Sequence, residues 1–140
     1  MNSHGKPFAV TEFGCAPFTG AADRGSRGEI IAYDGQSGQA THLTETVERN
    51  EPEQAAYLLD LLDVYESGGV DTAFVYTFAS RHLPTSDHPE QDFDLGSFGI
   101  VKTLPDGRSG SAYPGMPWEP KAAFSALAEY GRMRAGDPVT

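Results

Sequence analysis

The sequence predicts an α/β fold built around two parallel strands, and three observations carry that expectation. Phe8-Ala9-Val10-Thr11-Glu12-Phe13 is a short apolar run bounded by Lys6-Pro7 and Gly14. A helical pattern runs from about Glu51 to Ser67, and Val70 to Phe78 is β-branched and aromatic directly after Gly68-Gly69. Strand, helix, strand in that order is a βαβ unit, whose right-handed crossover makes its strands parallel.

Each element has a local reason. The first run is apolar on both faces, which predicts a strand buried on both sides. From Cys15 to Arg49 the chain is rich in Gly, Ser, Thr and Ala, and only Glu29 to Tyr33 has an extended or helical-turn pattern. This predicts a long excursion loop, a candidate lid or rim. The central helix starts with Asn50 as cap, Glu53 at the capping-box position and Pro52 in the first turn. Ala55, Leu58, Leu59, Leu62 and Tyr65 form its apolar side, Asp60, Asp63 and Glu66 its wet side, and Gly68-Gly69 ends it. Beyond the second strand come a polar stretch from Ser80 to Gly96, a short extended segment at Phe98–Lys102, and a final helix from about Glu119 to Met133 with Pro120 in its first turn. Residues 135–140 read as a frayed tail.

Composition narrows the function classes. The net charge of −10 opposes binding to nucleic acid or an anionic membrane surface. With 16 Gly and 10 Pro among 140 residues, loops take more of the chain than usual. One cysteine, Cys15, excludes an internal disulfide framework and multi-thiolate metal sites. No apolar run is long enough to span a membrane, and the first residues have no signal-peptide core; if Met1 is the true start, the expected location is cytoplasmic. No Gly-x-Ser-x-Gly, P-loop, Gly-x-Gly-x-x-Gly or His-Glu-x-x-His pattern occurs, and His42, His82 and His88 read as surface loop residues.

Glu12 is the chemical feature of the first strand. Ligands of parallel α/β sheets bind at the carboxyl ends of strands, and Glu12 lies at such an end. A carboxylate in an apolar strand needs a partner, so the competing expectation is a structural ion pair with Arg24, Arg27 or Arg81.

Lys6-Pro7-Phe8-Ala9-Val10-Thr11-Glu12-Phe13-Gly14 resembles the seventh strand of the clan of (β/α)8-barrel retaining glycoside hydrolases whose nucleophilic glutamate ends that strand. Glu51–Ser67 resembles the seventh helix and Val70–Phe78 the eighth strand. Phe98-Gly99-Ile100-Val101 and Glu119 to Leu127 resemble the closing segment and last helix. The resemblance implies a partial TIM barrel, strands 7 and 8 with their helices and long loops, and a carbohydrate substrate. It calls for no cofactor or metal. Ala21 to Gly28, with the preceding Thr11-Glu12-Phe13-Gly14-Cys15, is also similar to segments of bacterial proteins labelled abortive infection proteins.

By that resemblance Glu12 is the nucleophile, attacking the anomeric carbon while a second carboxylate protonates the leaving oxygen. The clan takes that acid/base from the fourth strand, and this chain starts at about the seventh. Asp71 lies at the wrong end of its strand, and Asp87, Glu90, Asp92 and Asp94 read as a solvated loop face. Tyr76 and Phe78 stand where the clan carries an aromatic sugar platform, often Trp. Cys15 and Arg24, in the loop after Glu12, complete the candidate substrate contacts; Trp118 reads as a staple for the last helix.

A full barrel needs about 250 residues. The expectation is therefore a C-terminal fragment over 1–140, inactive alone, that self-associates or is completed by a missing N-terminal barrel portion. The competing expectation is a non-catalytic carbohydrate-binding or interaction module.

Overall fold

The computed structural model describes residues 5–27 and 29–136. The expectation of a frayed tail falls mostly on residues 137–140, and Gly28 of the loop motif likewise lies outside the described residues.

The local signals of the βαβ unit are realised. Strand β1, Ala9–Phe13, is followed, after the excursion taken up below, by the central helix over Glu51–Ser67 and a strand over Thr72–Val75 that pairs parallel to β1. Asn50 caps the helix, its side-chain oxygen accepting the Glu53 N–H at 3.0 Å. Glu53 does not close the capping box. Its carboxylate instead accepts the backbone N–H groups of Gly20 at 2.9 Å and Ala22 at 3.1 Å, tying the segment after β1 to the first turn of the helix.

A bulge shifts the strand register between Val10 and Phe13. Val10 and Phe13 thereby both pack with Leu58, Ala55 and Ala123 in a core between the strands and the helices. Thr11 and Glu12 are left exposed. The expectation of strands buried on both faces is corrected: Phe8, Phe74, Tyr76 and Phe78 are each about half exposed, between 48% and 57%. The sheet has two strands.

The excursion from Cys15 to Arg49 is not a plain lid. It holds a one-turn helix α1, Ala21–Arg24, and an antiparallel hairpin of β2, Ile31–Tyr33, with β3, Ala40–Leu43. Ala16, Phe18, Ala21, Ile30 and Ile31 bury together against Leu83 and Leu95 of the polar stretch, making a second core. With these elements in place, the central helix is α2 and the strand after it β4.

The closing segment also differs from expectation. Trp118–Pro120 forms β6, antiparallel to β5, Val101–Thr103, and the last helix α3 spans Ala122–Ala135. Pro120 therefore ends a strand instead of opening a helix; Pro suits either place because it lacks an N–H to pair. The carboxylate of Glu51 accepts the Ala122 N–H at 3.0 Å, so the start of α3 is held by the first turn of α2. Gly136, at φ 78°, closes α3 in the left-handed conformation that glycine adopts without strain.

The polar stretch has its own buried charge. Asp94, expected on a solvated face, is 1% exposed and lies 2.8 Å from the Lys121 ammonium and 2.9 Å from the Arg49 guanidinium. Burial pushes the Asp94 carboxyl up and the Lys121 ammonium down, against their mutual attraction.

Candidate functional site

Glu12, Phe13 and Gly14 at the end of β1 and Tyr76 just past β4 border an open cleft of about 660 Å3. This is the strand-end position where ligands of parallel sheets bind. The two strand ends are drawn together closely. A side chain on Gly14 would be built onto the Tyr76 carbonyl oxygen, so only glycine permits the approach. The Tyr76–Thr77 peptide is cis. Tyr76 then meets Phe98 edge to face, with ring centroids 6.3 Å apart.

The rest of the lining comes from three elements. Tyr57, Leu61 and Tyr65 of α2 contribute one wall, and Ser80, His82 and Leu83 another. The hairpin segment adds Glu29 and Tyr33. The Tyr33 hydroxyl is held above the usual phenol range by partial burial and by the negative charge of Glu29, with Tyr76 a further neighbour. Glu29, Tyr33 and Tyr76 therefore converge at the cleft. Glu29 carries no local sequence signal for this; it arrives only because β2 and β3 fold back onto Leu83 and Leu95.

Of the residues selected from the sequence, Glu12 and Tyr76 share the cleft, and the others sit elsewhere. Cys15 is fully buried, with its thiol pushed up to about 12 by burial and the nearby Glu53 charge, against the opposing Lys121. Its backbone carbonyl accepts the Gln54 side-chain amide at 3.0 Å, and the same nitrogen donates to the Gly99 carbonyl at 3.1 Å. Arg24 pairs with Glu45 through two 2.8 Å bonds and stacks over Phe18 at 5.3 Å, so it reaches neither Glu12 nor the cleft. Phe78 packs edge-on against Trp118 at 5.4 Å, in an aromatic group with Tyr113 and Phe124. Trp118 indeed meets the first turns of α3 through Phe124, at 5.8 Å.

The arrangement has the chemistry of an acidic, aromatic cleft. Two carboxylates accept hydrogen bonds, the tyrosine hydroxyls both donate and accept, and the ring faces offer apolar platforms. Among the described residues no group of three or more His, Cys, Asp or Glu side chains is placed to hold a metal ion. No described helix is long and apolar enough to cross a membrane. The chain matches no protein-family model and no curated protein sequence.

Proposed function

We propose that this chain supplies the nucleophile end of a retaining glycosidase-like (β/α)8 barrel. The observation that carries the reading is the joint placement of Glu12 and Tyr76 on one cleft at the carboxyl ends of two parallel strands. In this reading Glu12 attacks the anomeric carbon of a sugar stacked against Tyr76 and forms a covalent glycosyl-enzyme. A second carboxyl group, roughly 5 to 5.5 Å from the first, protonates the departing oxygen as a carboxylic acid and then, as the carboxylate left behind, takes a proton from the water that releases the sugar.

The exposed aromatic side chains on and beside β1 and β4 support incompleteness. Phe8, Phe74 and Tyr76 are exposed beside unpaired strand edges, a surface that further strands of a barrel would cover. The acid/base belongs, in this account, to that additional portion. Glu29, facing Tyr33, is a sugar-binding group.

The test is an aryl glycoside assay on the 140-residue chain and on a chain extended with its upstream coding sequence. The short chain should be inactive, and the extended one active until Glu12→Gln removes the nucleophile. Turnover by the short chain that disappears in Glu12→Gln would overturn the need for completion. An extended chain whose turnover survives Glu12→Gln would overturn the role of Glu12.

A further inference from the structure

We draw no further inference here: the strongest candidate, the half-exposed aromatic patch where Phe78 and Tyr113 meet Trp118 of β6, is an apolar face, and nothing in the structure shows what covers it.

Discussion

The ammonium of Lys121 lies 2.8 Å from the carboxylate of Asp94, with neither side chain more than 1% exposed. Arg49 approaches the same carboxylate at 2.9 Å and also pairs with Asp92 at 3.1 Å. The network joins the polar stretch after β4 to the start of α3 and the residue before the α2 cap. Removing one member of a buried pair leaves an uncompensated charge, which costs about 3 to 5 kcal/mol. Lys121→Met should fall near about 3 kcal/mol, the low end, because Arg49 still serves Asp94. The exposed Arg134–Glu66 pair, 2.7 Å apart, gives the contrast: solvent screens it, so Arg134→Ala should destabilise far less than Lys121→Met. Urea denaturation of the two variants measures the difference.

Glu53 holds the segment after β1 through two backbone N–H groups. Hydrogen bonds to a charged acceptor contribute about 1.5 to 3 kcal/mol, so Glu53→Ala should lower stability by roughly that amount. Amide exchange at Gly20 and Ala22 should accelerate more than exchange in the middle of α2. Uniform acceleration across the chain would contradict a local tether.

How far the sequence reached follows from the range of each interaction. Asn50, Leu58 and Gly68-Gly69 announce α2 through chemistry within a few residues, so the βαβ unit was legible. The parallel pairing followed from chain order alone. The burial of Asp94 was not legible, because its partners Lys121 and Arg49 are distant in sequence and meet it only in the folded chain. Glu29 was hidden for the same reason, as its place in the cleft depends on a hairpin folding over Leu83 and Leu95. In the candidate site, Glu12 follows from its strand-end position, and Tyr76 and Phe78 from the resemblance. That Glu12 and Tyr76 border one cleft while Phe78, Cys15 and Arg24 turn elsewhere is set by tertiary contacts that no local pattern encodes.

Cys15 gives a pH prediction. Its thiol is raised from 9.0 to about 12, so the folded state favours the protonated form. That contribution is fully present below about pH 9, the ordinary thiol range, and is lost as the pH rises from there through about 12. Stability of the wild-type chain minus that of Cys15→Ala should therefore decline across that window. At about pH 8 the native thiol should also resist a disulfide-exchange reagent and react only after denaturant is added. Rapid reaction of the native protein would contradict its burial.

Gly14 should tolerate no side chain, because the added carbon meets backbone, the Tyr76 carbonyl, which cannot swing aside. Gly14→Ala should lower stability by about 1 to 3 kcal/mol, the usual penalty for overpacking, or more if β4 is displaced. Gly35→Ala, with open space around it, is the matched control and should change stability by less than about 0.5 kcal/mol. Thermal melts of the two variants check this. Equal effects would mean that β1 and β4 do not approach each other as described.

The central claim is that Glu12 belongs to a barrel whose remaining strands lie outside these 140 residues. Determining the genomic DNA sequence immediately upstream of the Met1 codon tests it most directly. The account predicts an open frame encoding further strand–helix units, one strand ending in the carboxylate that would serve as acid/base. An in-frame stop codon directly before Met1 would contradict it.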